Sequence, residues 1–439
     1  MTKTFPETLD ELKKFISEDE DNIYSTDQYE GDLYFIAASK GRIDMLEYLE
    51  KEHGFNMFTT NKDGVTVHMK AVNNDNMELL EYFENKSSFF IKFTDKDRYN
   101  SYLWACCKGN LKIMKYFEEK YSWVVNSKDK EGANVYLIAA TYGYLHIMKH
   151  LEENHDFDVH LKGLEGRDAY IYAANSGRLN VMKYLEEKHN WNTNTENDYG
   201  TTAYLSSLGH KETMEYMESK EDCDVFHKNQ HGFDMYLLAA SNGLVWVMKH
   251  LEEKYDWDIH VKGNNDEDAY LLAAGEGHIN VLEYLEEKHH WDVHVRCKFG
   301  GDAYLTASSY GRLNVIEYLE EKHNWDILTK SKQGMTAYLY AASCGFIDIL
   351  RHFEKDPFFK FTVTSDNGWN VYLWAIRSEQ LDVLIYLDDK YDMFALMAHP
   401  FDPIDFAEQM EVNQEIIDYL YDMHMRSFGK IFMPSITVS

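Results

Sequence analysis

The stretch NDEDAYLLAAGEGHINVLEYLEEKHHWDVH, residues 265–294, contains the plan of the whole chain. Residues 269–274 form a short segment rich in small residues, Gly277 interrupts it, and Ile279, Leu282 and Leu285 then follow at helical spacing. That pattern predicts a helix, a tight turn and a second helix. Beyond Trp291 the β-favouring Asp292-Val293-His294-Val295 leads through Lys298-Phe299-Gly300 into a hairpin-like loop.

Tyr270 of this stretch belongs to a column. Tyr34, Tyr102, Tyr136, Tyr170, Tyr204, Tyr236, Tyr270, Tyr304, Tyr338 and Tyr372 recur with His68 in the second row, and nine of the ten steps are 34 residues. The exception, Tyr204 to Tyr236, is 32. A period this strict means that one supersecondary unit is copied and stacked, so the 439 residues need not divide into two or three separate cores. Glycines four residues before the tyrosine (Gly64, Gly132, Gly300 and others) suit a loop tip with positive φ. Those after the first helix (Gly41, Gly143, Gly277 and others) suit its C-cap. Aromatics recur at Phe55, Phe89, Trp123, Phe157, Trp191, Trp257, Trp291, Trp325 and Phe359, and their regularity predicts core.

The unit resembles the ankyrin repeat, G-x-T-P-L-H-x-A-A-x-x-G-H followed by a V-V-x-x-L-L helix. Gly64-Val65-Thr66, Ala239-Ala240-Ser241-Asn242-Gly243 and Ala273-Ala274-Gly275-Glu276-Gly277-His278 carry the likeness, which extends over residues 31–424. Two features depart from it: Ala-Tyr-Leu or Val-Tyr-Leu replaces Pro-Leu-His, and the unit is one residue longer than the usual length of about 33. The tyrosine is expected to restore the lost contact by packing and through its hydroxyl.

The expected fold is therefore an all-α, ankyrin-type helix-turn-helix solenoid with short hairpin-like loops, about eleven full repeats and terminal caps. Residues 1–30 form the N-terminal cap, with Leu9, Leu12, Phe15 and Ile16 on one helix face, and residues 31–424 form the stack. Pro403-Ile404-Asp405-Phe406-Ala407 and Ile416-Ile417-Asp418-Tyr419-Leu420 read as a degenerate last repeat. Residues 425–439 form an apolar tail. The repeat at 200–232 lacks two residues of its first helix, a rotation of about 200°, and is expected to act as a bend or weak joint.

A formal net charge of −31 and the absence of a basic patch argue against nucleic acid and anionic membrane surfaces as partners. The five cysteines, without a C-x-x-C pair, and the lack of a long apolar run predict a cytoplasmic protein. No metalloprotease, nucleophile-elbow, P-loop or dinucleotide-binding motif is present, so the sequence predicts neither an enzyme nor a cofactor. Columns His155, His189, His289, His323 and His160, His260, His294 are expected to make surface hydrogen bonds. Equivalent atoms of adjacent repeats lie about 10 Å apart, whereas zinc needs donors at about 2 Å. His289, His290 and His294 come nearest to a ligand set within one unit, but no metal is expected. The Glu-Glu pairs at 152/153, 186/187, 252/253, 286/287 and 320/321 read as a solvated acidic face, and secondarily as a docking surface for a basic protein.

The resemblance implies protein binding on the concave side, by loop tips and the exposed end of the first helix. Residues varying there include Lys40, Lys108, Tyr142, Asn242, Glu276 and Tyr310. Three large apolar residues stand where sister repeats are polar. Trp246 occupies the column of Asn180, Asn280 and Asn314, and Phe233 and Trp369 follow the loop-tip glycine where other rows carry Arg167, Thr201 or Glu267. The reading is a monomeric, non-catalytic scaffold for another protein. The alternative is an adaptor or host-directed effector of an intracellular bacterium or large DNA virus, recruiting machinery through a terminal segment.

Overall fold

The first helix of each repeat starts from a polar side chain two residues before the tyrosine column. Asp268 accepts the backbone N–H of Leu271 at 3.0 Å and opens helix Ala269–Glu276; Asn100, Asp234 and Asp302 do the same in their own repeats. These caps replace the helix start that a proline would give. Glycine or another left-handed residue then turns the chain, and the second helix, here Ile279–His289, runs back with Val281, Leu282 and Leu285 buried.

The computed structural model describes residues 5–155, 157–356, 362–391, 393–394 and 402–432, with side chains to 426. Helix pairs follow one another from Leu33–Ser39 and Ile43–His53 to Val371–Arg377 and Leu381–Tyr391. Among the described residues there is no strand; the hairpin-like loops contribute isolated antiparallel bridges such as Lys330 to Thr336. The chain is an all-α helical repeat solenoid, as its period predicts. It falls into two compact units, Met1–Val225 and Phe226–Ser439.

Within each unit, neighbouring loops are tied by backbone hydrogen bonds. Lys298 donates to the Asn265 carbonyl at 2.7 Å, Lys332 to Phe299 at 3.1 Å, and Lys130 to Asp97 at 2.9 Å. This close approach explains one glycine: at Gly300, with φ of 79°, a Cβ would lie 2.7 Å from the Lys332 nitrogen. Three rows hold the same left-handed backbone without glycine, at Glu30, Arg98 and Asp266.

Helix Leu9–Glu18, opened by a capping box between Thr8 and Glu11, buries Leu12 and Ile16. At the other end Pro403–Gln409 buries Ile404, Phe406 and Ala407, and Gln414–Phe432 buries Ile416 and Leu420. That last helix runs through position 425, so the expected tail begins as helix, and residues 433–439 lie outside the described residues.

The aromatic column at the end of the second helix is core at Trp257, Trp291 and Trp325, but not throughout. Phe89 and Trp123 are 55% and 41% exposed, and their successors Phe90 and Val124 are fully buried instead. The cause is local. Helices Val245–Tyr255, Ile279–His289 and Leu313–His323 end in a left-handed residue, whereas Met77–Lys86 and Leu111–Lys120 end in Ser87 and Tyr121 with negative φ. A 3-10 turn follows in both, Phe90–Lys92 and Val124–Asn126, and shifts the inward residue by one. Phe359 lies outside the described residues.

The short repeat absorbs its deletion in its first helix, which shrinks to Ala203–Ser206 from the seven residues of Ala169–Asn175. Tyr204 is nonetheless buried in the same place. The boundary between the two units falls within this repeat, after its second helix Lys211–Glu218.

Candidate partner-binding face

Every hydroxyl of the tyrosine column donates to a carboxylate of its own repeat's second helix, at 2.5 to 2.9 Å. Tyr270 serves Glu286, Tyr136 serves Glu152, and at the end of the series Tyr372 serves Asp388. His68 does the same through Nε2 to Glu84, at 2.8 Å, while its Nδ1 accepts from the Ser101 hydroxyl of the next repeat at 2.6 Å. Burial pushes the His68 pKa down, which keeps the ring neutral for both roles.

The same carboxylates join neighbouring repeats. Glu252 accepts the Tyr284 hydroxyl and the Lys288 ammonium, each at 2.8 Å, and the His289 ring nitrogen lies 3.2 Å away. Glu152 takes Tyr184 at 2.7 Å, Lys188 at 2.9 Å and His189 at 3.2 Å. Burial alone would raise these acids, yet the donors outweigh it and hold Glu152, Glu252 and Glu286 below the usual carboxylate range.

The acidic-face expectation is thus corrected for the first member of each pair: Glu152, Glu186, Glu252, Glu286 and Glu320 are the joints of the stack. The second members Glu153, Glu187, Glu253, Glu287 and Glu321 remain exposed. His189, His289 and His323 approach these joints and His155 approaches Glu118, whereas His160 and His260 stack on Trp191 and Trp291 and His294 lies tilted against Trp325. His289 and His294 therefore face different partners. Cys107 is pushed up to about 12 by burial and Cys106 is raised likewise, so neither is poised as a thiolate nucleophile.

Away from these joints, the first helices and loop tips of the second unit enclose a cavity of about 430 Å3. Leu271, Leu272 and Leu305 form its floor, Phe233 and Tyr340 its sides, and Phe299 and Tyr310, each 54% exposed, its lip. Glu267 and Glu276 add the charged groups, and Arg312 neutralises Glu276 at 3.0 Å. The lining can hold an apolar side chain from another molecule and orient it by a few polar atoms.

Of the residues singled out in sequence, the cavity gathers Phe233, Glu276 and Tyr310. Asn242 is exposed beside the cavity residue Ser241 but does not line it. Trp246, 37% exposed, starts the second helix Val245–Tyr255 and lies outside the cavity. Its sister asparagines tie repeats together, since Asn280 and Asn314 each donate to a glycine carbonyl of the preceding repeat at 2.9 Å. Trp369 packs edge-on against Trp374 and Phe406, with ring centres 5.1 and 5.0 Å apart. In the first unit Tyr142 stacks on Tyr144, Lys40 pairs with Glu7, and Lys108 is exposed.

Sequence reasoning missed the residue two places after the column tyrosine. Trp104, Tyr172, Leu238, Leu272, Thr306, Tyr340 and Trp374 occupy it, on the side of the first helix opposite the tyrosine, and all are half-buried. The signal was present: this position varies in size and polarity between tightly fixed neighbours. Two residues along a helix is a turn of about 200°.

Among the described residues no helix is long and apolar enough to cross a membrane. The family model described as ankyrin repeats, in three copies, matches residues 34–129 and 136–229. No curated protein matches the chain.

Proposed function

We propose that this ankyrin-repeat protein is a non-catalytic module that binds another protein through the face made by its first helices and loop tips. Ankyrin repeats are generally protein-protein interaction modules. The observation that carries the finer reading is the cavity under Phe299 and Tyr310, two exposed aromatics beside a leucine-lined floor. Aromatic anchors next to a preformed apolar pocket are the usual centre of binding energy. The face is held in place by the carboxylate joints behind it, so little ordering entropy opposes association.

The partner on this reading inserts an apolar side chain between Phe299 and Tyr310 and offers basic residues to Glu267. The free cysteines fit a reducing, cytoplasmic setting. A photo-crosslinking residue placed at Tyr310 should capture the partner, while one placed at the exposed Glu287 on the second helix should not. Equal capture at both positions would refute the assignment of the face.

A further inference from the structure

The carboxylate joints serve as internal controls for one another, and the joint at Glu118 is different. At most joints a lysine of the following repeat supplies a fixed positive charge, as Lys188 does at Glu152, Lys288 at Glu252 and Lys322 at Glu286; Glu320 meets His352 in place of the tyrosine and has Asp356 where the lysine would be. At Glu118 the equivalent residue is Asn154, and the tyrosine that should accompany it is His150. His150 Nε2 lies 2.7 Å and His155 Nε2 2.9 Å from the same oxygen, Glu118 Oε2, while Tyr102 donates to Oε1 at 2.6 Å. Glu118 and His150 are buried at their side chains and His155 is about three-quarters so. One nitrogen from each ring and one carboxylate oxygen thus lie within 4.8 Å of one another.

We propose that Glu118, His150 and His155 form a binding site for a divalent transition cation, Zn2+ being the ion that two imidazoles and one carboxylate suit best. Zinc takes such donors at about 2.0–2.2 Å, and water completes four-coordination. A metal taken at Nε2 requires each ring to carry its single proton on Nδ1. The His150 Nδ1–H then faces the Asn154 amide, whose nitrogen lies 3.1 Å from Nδ1 and donates to the His150 carbonyl at 2.9 Å; the amide oxygen accepts once the group turns and gives up the carbonyl bond. Tyr102 holds the second carboxylate oxygen and fixes the orientation of the first. The cation occupies the role that lysine has at the sister joints, neutralising a buried carboxylate between two repeats.

Hard cations such as Mg2+ prefer oxygen ligands and would not substitute. Co2+ titrated into the full chain should give the visible bands of four-coordinate cobalt, saturate at one equivalent, and lose them to Zn2+ but not to Mg2+. The bands should vanish in His155→Gln and also in Asn154→Lys, which installs the residue that the sister repeats carry and keeps the fold, as unchanged far-UV circular dichroism would show. His189→Gln, at a joint that has its lysine, should leave them intact. Zn2+ at a hundredfold excess over its dissociation constant should also raise the wild-type unfolding midpoint by about 2 °C or more, with no rise in Asn154→Lys. Bands that persist in His155→Gln or Asn154→Lys, or a wild-type chain that gives none, would overturn the site.

Discussion

At the residue scale, the tyrosine of each repeat is a packing group and a hydrogen-bond donor at once. Tyr270 is wholly buried and its hydroxyl meets Glu286 at 2.8 Å. Replacing it by phenylalanine keeps the ring and leaves Glu286 with Tyr318 and Lys322. Urea unfolding of Tyr270→Phe should therefore show a loss of about 1–2 kcal/mol, against about 3–5 for Tyr270→Ala, which adds a cavity. The column itself is plain in the sequence, and so is the expectation that its hydroxyl has a partner. The partner was harder to read. Tyr270 and Glu286 are 16 residues apart on different helices, and Glu286 looks identical to the exposed Glu287 beside it. Only the phase of the second helix against the first separates a joint from a solvated charge.

Caps and loop tips matter at the scale of the element. Arg98 holds a left-handed φ of 63° where sister rows place glycine. Arg98→Gly should stabilise the chain by about 1 kcal/mol, the cost of that conformation for a residue with a Cβ; an unchanged urea midpoint would contradict this. Asp168 caps helix Ala169–Asn175 while buried, and burial pushes it up to about 6 despite the N–H groups of Tyr170 and Ile171. Its native pKa exceeds the unfolded value, so its contribution is full below about 3.8 and is lost as pH rises through about 6. Asp168→Asn, with the side chain that already caps at Asn134 and Asn370, should raise stability at pH 7 on the order of 1–3 kcal/mol and flatten the profile between pH 4 and 6.

Over the whole molecule the carboxylate joints act in the opposite direction. Glu84, Glu152, Glu252 and Glu286 titrate below their usual range in the native state, so their contribution is full above about 4.5 and lost as the pH falls through the native values. Thermal unfolding should show a falling midpoint below pH 4.5, with a shallower acid limb in Glu152→Gln. The stacked helix pairs were legible because the aromatic column and at least one of the two glycines survive in every row. The proposed binding face was legible only in part. Phe233, Glu276 and Tyr310 stand out as departures from the period; Phe299, between Asn265 and Gln333 in its column, departs equally and was overlooked, whereas Leu272 does not stand out, since an apolar residue two places from a buried tyrosine reads as core. Sister repeats also supply gentle substitutions: Leu272→Thr as in Thr306, Phe299→Gln as in Gln333, and Tyr310→Asn as in Asn242. The most direct measurement is quantitative affinity capture with the full chain and with this triple variant, matched for circular dichroism and unfolding midpoint. The proposed binding face requires that the proteins retained by the wild type be lost from the variant; an identical set, retained equally well, would contradict it.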